Sequence, residues 1–294
     1  MEKKEHLKEF KDENKISPLI SAKELNNVLG QSNLKIFDVR GIWGTNPRSL
    51  YDEYKAEHIP TAQFLDWRKE FIEVNIAPNL AQISSFAQAK QSFTDLGIDT
   101  GDSVILYDDY HHMFAGRVWW AMRYWGFDNI RVLNGGFKNW QLENLPISRE
   151  IPKTSKGTFE PKPQEHLRLS LEDFIIEKEH SCVLDGRGIA GYNGKPEDPR
   201  TGHIPNAISA AYNSLLDKNT GLFLEPTEII TLFNKTIPNW RTEKIICSCG
   251  AGYSGTVAML ALARLGIQSS LFDGSFNMWK QDPNRPIAQS IKKE

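Results

Sequence analysis

The sequence predicts an α/β fold in two tandem copies, each a parallel sheet flanked by helices. Short apolar segments of strand length alternate with longer segments of helical character, a pattern typical of a parallel sheet covered on both faces. Three short motifs also occur twice, in the same order and at nearly constant spacing. Such a repeat indicates that one structural unit is used twice in the chain.

The repeated motifs are a strand ending in an Asp-x-Arg triplet, a His-Ile-Pro segment and a glycine segment ending in tryptophan. Their matching positions are separated by 147 residues (185 − 38), 145 (203 − 58) and 139 (273 − 134). The segment between the copies contains three prolines, which favours an extended linker. We therefore expect a flexible leader over 1–15, domains over 16–147 and 167–294, and a linker over 148–166.

Composition excludes several classes of partner. The chain of 294 residues has a net charge of −2, so no basic excess favours nucleic acid. No apolar run approaches the roughly 20 residues that span a membrane. The N-terminal segment is charged and lacks the apolar core of a secretory signal. Three cysteines are too few for a disulfide framework, so we expect a cytoplasmic protein.

One cysteine of the second copy lies where a nucleophile would be expected. Cys249 follows the apolar segment Ile245–Cys247, and a helical pattern begins near Gly255. The glycine-rich turn between strand and helix leaves backbone N–H groups free to point inward, and the helix adds its positive end. A thiol in such a turn is expected to ionise readily. We interpret Cys249 as a thiolate nucleophile and Cys247, within the strand, as a core thiol.

The first copy lacks this nucleophile. When the strands of the two copies are aligned, Asp108 falls at the position of Cys249, and the segment that follows it contains no glycine. We therefore expect one active site, with the first copy serving as a wall of the cleft or as a scaffold.

Together, the paired motifs and the single cysteine loop resemble the tandem-domain rhodanese family, which includes thiosulfate and mercaptopyruvate sulfurtransferases. The resemblance implies two tandem rhodanese-like domains and a sulfurtransferase activity. It implies that Cys249 carries sulfane sulfur as a persulfide and passes it to a thiol, a protein thiol or cyanide. The loop that would cradle the persulfide consists of Gly250, Ala251, Gly252, Tyr253 and Ser254.

The same resemblance bears on the sulfur donor. Family members that prefer thiosulfate, a dianion, usually carry basic residues in the loop, and this loop has none. It is similar to the neutral loop of the mercaptopyruvate enzymes, and Arg187 and Arg200 match arginines of the family that hold the donor's carboxylate. Ala251 departs from the family's loop hydroxyl, and the first copy shows no match for the accompanying aspartate and histidine. Tyr253 or Ser254 is a candidate replacement for that hydroxyl.

Other interpretations remain as alternatives. The loop satisfies G-x-G-x-x-G, but too little chain follows Asp273 to complete a dinucleotide-binding sheet. A cysteine phosphatase would need arginine at position 255, which is Gly255. A thiosulfate-preferring transferase and a sulfur carrier or binding protein without turnover stay open. No motif for a metal or a cofactor is present, so we expect neither.

Overall fold

The computed structural model describes residues 17–44, 46–77, 79–241 and 243–290. The predicted leader over 1–15 lies outside the described residues. Among those described, no helix is both long and apolar enough to cross a membrane.

The first copy alternates strands and helices. Its strands are β1 (Leu19–Ile20), β2 (Leu34–Asp38), β3 (Gly41–Ile42), β4 (Arg48–Ser49), β5 (Gln63–Phe64), β6 (Ser103–Tyr107) and β7 (Ile130–Leu133). Its helices are α1 (Ala22–Val28), α2 (Tyr51–Ala56), α3 (Phe86–Asp95), α4 (Met113–Tyr124) and α5 (Gly136–Leu142).

The second copy repeats this plan without the short hairpin of β3 and β4. Its strands are β8 (Arg168–Leu169), β9 (Cys182–Asp185), β10 (Ile208–Ser209), β11 (Ile245–Ser248) and β12 (Ser269–Phe272). Its helices are α6 (Leu171–Glu177), α7 (Ile189–Asn193), α8 (Pro226–Thr236), α9 (Ser254–Arg264) and α10 (Ser275–Trp279).

Each copy forms a five-stranded sheet in which all neighbours are parallel. The strand order is β1-β7-β6-β2-β5 in the first copy and β8-β12-β11-β9-β10 in the second. The two orders are the same when each strand is replaced by its counterpart. The predicted α/β fold of two parallel sheets is therefore confirmed.

The local sequence of the two copies explains part of this match. Ser21 caps α1 and forms a capping box with Glu24, and Ser170 caps α6 with Asp173 in the same arrangement. In each box the serine oxygen and the carboxylate satisfy backbone N–H groups that the first turn leaves unpaired. The corresponding helices of the two copies thus begin with the same device.

Helices α4 and α9 join the two copies through one continuous hydrophobic cluster that includes side chains of both. The two helices approach closely at Gly116, where an added Cβ would lie 2.7 Å from Oγ1 of Thr256. One smaller hydrophobic cluster covers the outer face of the first sheet, and another covers that of the second. Because Gly116 and Thr256 lie in the first turns of α4 and α9, the carboxyl ends of β6 and β11, which lead into these helices, lie near the junction between the copies.

Residues 149–164, within the predicted linker, contain no helix or strand. They follow the surface of the first copy, where the N–H of Gly157 donates to the carbonyl of Thr94 at 2.8 Å and that of Lys162 to Trp125 at 2.9 Å. The exact domain boundaries remain predictions.

We expect Gly116→Leu to lower the free energy of unfolding by about 1–3 kcal/mol, because the larger side chain forces α4 and α9 apart. Urea denaturation measures this. Gly101→Leu is the matched control, since an added Cβ at that exposed turn meets nothing within 4 Å. Equal stability of the two variants would contradict the close packing at Gly116.

Candidate active site

Cys249 lies immediately beyond the end of β11, beside the end of β9. Its side chain is 1% exposed, and its Sγ accepts a hydrogen bond from the N–H of Gly252 at 3.0 Å. Gly252 has φ +89°, a left-handed conformation that glycine adopts without strain. The loop therefore turns back on itself so that one of its amides points at the sulfur.

Helix α10 makes three hydrogen bonds to this loop. The N–H of Cys249 donates to Oγ of Ser275 at 3.1 Å, and the carbonyl groups of Cys249 and Gly250 accept from Phe276 and Asn277, each at 2.9 Å. These bonds fix the first two residues of the turn, and the amide of Gly252, later in the same turn, faces the sulfur.

The remaining loop residues lead into helix α9. Ala251 and Ser254 are buried, and Ser254 is the first residue of α9, which has 11 residues. The positive end of this helix therefore faces the cysteine loop, where it favours negative charge.

Tyr253 inserts its ring among aromatic side chains of the first copy. Its ring centroid lies 4.8 Å from that of Trp43, 5.5 Å from Trp67 and 5.9 Å from Phe114. Burial raises the pKa of the Tyr253 phenol well above its ordinary value. The phenol therefore keeps its proton at neutral pH.

Arg187 lies beside the loop, and its guanidinium already has protein partners. Nε donates to Oδ1 of Asp185 at 3.0 Å, and Nη2 donates to the carbonyl of Gly202 at 2.7 Å. The guanidinium carbon lies 4.3 Å from the ring centroid of Phe276, and Cδ would lie 3.9 Å from a Cβ added at Gly250. Among the described residues, Nη1 makes no hydrogen bond, so this nitrogen can face a ligand.

The first copy contains the same arrangement without a nucleophile. Arg40 donates from Nε to Asp38 at 2.8 Å and from Nη2 to the carbonyl of Glu57 at 2.6 Å, and it lies 4.2 Å from the ring centroid of Phe137. The Asp-x-Arg pair therefore closes the end of a strand in both copies. For Arg187, any substrate contact comes in addition to this structural role.

Arg200 lies at the far end of α10 from Cys249. Its two terminal nitrogens donate to four backbone carbonyls in the turn after α10, those of Lys280, Asp282, Pro283 and Arg285. Because Ser275 at the start of α10 contacts the cysteine loop, Arg200 lies about one helix length away, roughly 7.5 Å along the axis. The structure therefore brings Arg187 to the loop and binds Arg200 to the C-terminal turn.

Comparison with known proteins decides the family. Residues 21–143 and 169–282 both match the sequence model of the rhodanese-like domain. The chain belongs to the rhodanese-like family. The prediction of two tandem rhodanese-like domains is confirmed.

Related rhodanese-like proteins include a thiosulfate/3-mercaptopyruvate sulfurtransferase of Arabidopsis thaliana, 28% identical over 93% of this chain and 87% of the relative. A 3-mercaptopyruvate sulfurtransferase of Escherichia coli is 26% identical over 91% of this chain and 96% of the relative. The crystal structure of a 3-mercaptopyruvate sulfotransferase of Escherichia coli matches with a TM-score of 0.79 and 25% identity, covering 88% of this chain and 99% of that one. The prediction that the chain is a sulfurtransferase is thereby confirmed. Its site residues remain predictions.

The other rhodanese-like copy has a carboxylate at the position of the sulfur. Asp108 follows β6 as Cys249 follows β11, and its two oxygens accept hydrogen bonds from the N–H groups of Tyr110, His112 and Ala115 at 2.8–3.0 Å. Burial raises the pKa of Asp108 to about 6 despite these bonds. The three amide hydrogen bonds thus offset only part of the cost of burying this charge.

The other two cysteines of this rhodanese-like chain are buried in strands. Burial raises the pKa of Cys247 to about 12 and that of Cys182 to about 11. Both thiols therefore remain protonated at neutral pH, which makes them poor nucleophiles.

Sequence reasoning missed one charged residue beside the loop, Arg117 of α4. The segment Met113–Tyr124 contains two charged side chains, Arg117 and Arg123. Arg123 lies in the last turn, whereas Arg117 is fully buried. Burying a charged side chain without a partner costs free energy. An arginine within an apolar, aromatic helix is therefore a sequence signal for a buried ion pair. Its partner, Asp273, belongs to the other copy, and no local pattern in the sequence connects the two.

We expect Asp108 to make stability depend on pH. Its carboxyl has an ordinary pKa of 3.8 in the unfolded chain and about 6 in the folded one, so only the folded chain holds the proton between these values. The free energy of unfolding therefore loses on the order of 2–3 kcal/mol as the pH rises from about 4 through about 6.

Asp108→Asn removes this contribution. Urea denaturation near pH 4 and near pH 7 measures it as the change in the stability difference between Asp108→Asn and the parent, so a constant cost of the amide cancels. The difference should favour Asp108→Asn more at the higher pH. A difference independent of pH would contradict the assignment.

Proposed function

We propose that this protein takes the sulfur of 3-mercaptopyruvate onto Cys249, where it becomes the sulfane sulfur of a persulfide, and passes it to a thiol, a protein thiol or cyanide. The observation that carries the proposal is the 3.0 Å hydrogen bond from Gly252 N–H to Sγ of Cys249 at the head of α9. A preformed amide and a helix N-terminus stabilise the anionic sulfur both before and after the transfer.

The first half-reaction breaks the carbon–sulfur bond of the donor. The thiolate of Cys249 attacks the donor sulfur, a sulfur–sulfur bond forms, and the electrons of the broken bond pass to the donor carbon as an enolate. One proton then converts the enolate to pyruvate. The second half-reaction is attack by the acceptor on the outer sulfur, which releases the thiolate of Cys249.

Two features support a carboxylate donor. The loop Gly250–Ser254 carries no charge that would select a dianion, and Arg187 lies beside it with Nη1 directed to no protein partner among the described residues. The relatives from Arabidopsis thaliana and Escherichia coli are named for 3-mercaptopyruvate. Arg200 supports this donor less directly, because both of its terminal nitrogens donate to carbonyls of the turn after α10.

Thiosulfate is the alternative donor. Sulfur transfer from thiosulfate releases sulfite and needs no proton. The cations that bind this donor would come from outside the loop, and Arg187 lies beside it. A sulfur carrier without turnover is the other alternative. It would accept one sulfur per chain, whereas an enzyme gives many turnovers.

The proposed chemistry also bears on location and partners. A persulfide requires a free thiol, and all three cysteines are unpaired in the described structure. We propose a reducing, cytoplasmic location, with a small-molecule donor and a thiol acceptor as partners.

We expect the intact mass of the protein to increase by one sulfur after exposure to 3-mercaptopyruvate or thiosulfate. Cys249→Ser should show no increase, while Cys247→Ser, the matched control two residues away, should gain sulfur like the parent. The donor that loads faster identifies the preferred substrate. Loading of Cys249→Ser would show that another residue carries the sulfur.

We expect Tyr253→Phe to separate the two donors if the phenol supplies the proton to the enolate. Turnover with 3-mercaptopyruvate should then fall by about 100-fold, the usual contribution of a general acid. Turnover with thiosulfate, which needs no proton, should stay unchanged and serves as the internal control. Unchanged turnover with both donors would exclude this role for Tyr253.

A further inference from the structure

The first copy places a buried arginine against the cysteine loop of the second. Arg117 extends from α4, and its side chain is 0% exposed. A Cβ added at Gly252 would lie 2.6 Å from Nη1 of Arg117, so the guanidinium packs directly on the backbone of Gly252. The N–H of this same Gly252 donates to Sγ of Cys249. One residue of the loop therefore separates the cation from the sulfur.

The hydrogen bonds of Arg117 leave part of its guanidinium without a partner. Nη2 donates to Oδ1 of Asp273 at 2.9 Å and to the carbonyl of Ala81. Nε and Nη1 are buried and have no hydrogen-bond partner among the described residues. Unpaired donors of a buried guanidinium are costly unless a neighbouring anion compensates.

Arg117 shares its buried carboxylate partner with a second arginine. The carboxylate of Asp273 is fully buried and binds two guanidiniums, Arg117 through Oδ1 and Arg168 through Oδ2, each at 2.9 Å. At Asp273 one negative charge therefore faces two positive charges, while Glu165 is a further negative group that acts on Arg168. Of the other charged groups around the loop, Arg187 pairs with Asp185, and Asp66 is shared by Arg68 and Lys69.

A buried arginine faces the loop that contains Cys249, and its counterpart in the other copy is uncharged. Alignment of β6 with β11 places Ala258 of the second copy at the position of Arg117 (117 + 141 = 258), so the corresponding helix offers no charge to the loop of Asp108. Likewise, Asn134 stands where the second copy has Asp273 (273 − 139 = 134). The arginine thus lies in one copy and the cysteine in the other.

We propose that Arg117 is a positioning residue that fixes the Gly252 amide on the sulfur and supplies the buried positive charge that stabilises the anionic thiolate and persulfide of Cys249. The candidate active site is therefore composite, with the nucleophile from the second copy and the charge from the first. The inference rests on the proposed function, since the persulfide is the anion that Arg117 would stabilise.

The test compares Arg117→Met, Arg117→Lys and Arg123→Met with the parent. Arg123 lies on the same helix, is partly exposed and pairs with Asp128, so Arg123→Met controls for the loss of an arginine from α4. Two quantities are measured on folded protein at neutral pH: the rate at which Cys249 gains sulfur by intact mass, and the ultraviolet absorbance of the thiolate. Arg117→Gln replaces Arg117→Met if the latter does not fold, because it keeps a donor for Asp273 without the charge.

Arg117→Met should load sulfur at least about tenfold more slowly than the parent and show less thiolate absorbance. Arg117→Lys should recover most of both, and Arg123→Met should match the parent. A folded Arg117→Met with parental loading and absorbance would overturn the proposal, as would Arg117→Lys that behaves like Arg117→Met. If the parent gains no sulfur, the proposed function fails, and the thiolate absorbance of the same variants still decides the role of Arg117.

Discussion

The carboxylate of Asp273 connects the two copies at the point where the candidate site forms. It is fully buried and accepts hydrogen bonds from Arg117 and from the N–H of Ile83 in the first copy, and from Arg168 in the second. Removing one partner of a buried ion pair costs about 3–5 kcal/mol, because the other charge remains without solvation. The environment of the cysteine loop depends on this group, together with the hydrophobic cluster that α4 and α9 share between the copies.

The two copies use one loop geometry for different anions. In the first, the carboxylate of Asp108 accepts three backbone N–H groups, and in the second the sulfur of Cys249 accepts that of Gly252. The turn between strand and helix brings amide donors and a helix N-terminus to one point, and at Asp108 burial still raises the pKa to about 6. What distinguishes the second copy is a nucleophilic side chain and a cation beside it.

The arginines predicted to bind substrate also donate hydrogen bonds to the backbone. Arg187 and Arg40 make equivalent bonds in the two copies, although only one copy has a thiol. Arg200 donates to four carbonyls of the turn after α10. A guanidinium has five donors in a rigid plane, so it can close a turn and still present a nitrogen to a ligand, as the geometry of Arg187 allows.

The sequence by itself determined the repeated α/β plan, the strands from Leu34 and Ile245, and the position of Cys249 at a strand end. These features depend on local periodicity and on spacing along the chain, which any reader of the sequence can measure. Tertiary structure alone decided that Arg200 turns toward the end of α10 and that Arg117 reaches Gly252 across the junction between the copies. Both outcomes depend on contacts between residues at least 80 positions apart, and no local pattern encodes which of many charged side chains will be brought to a given loop.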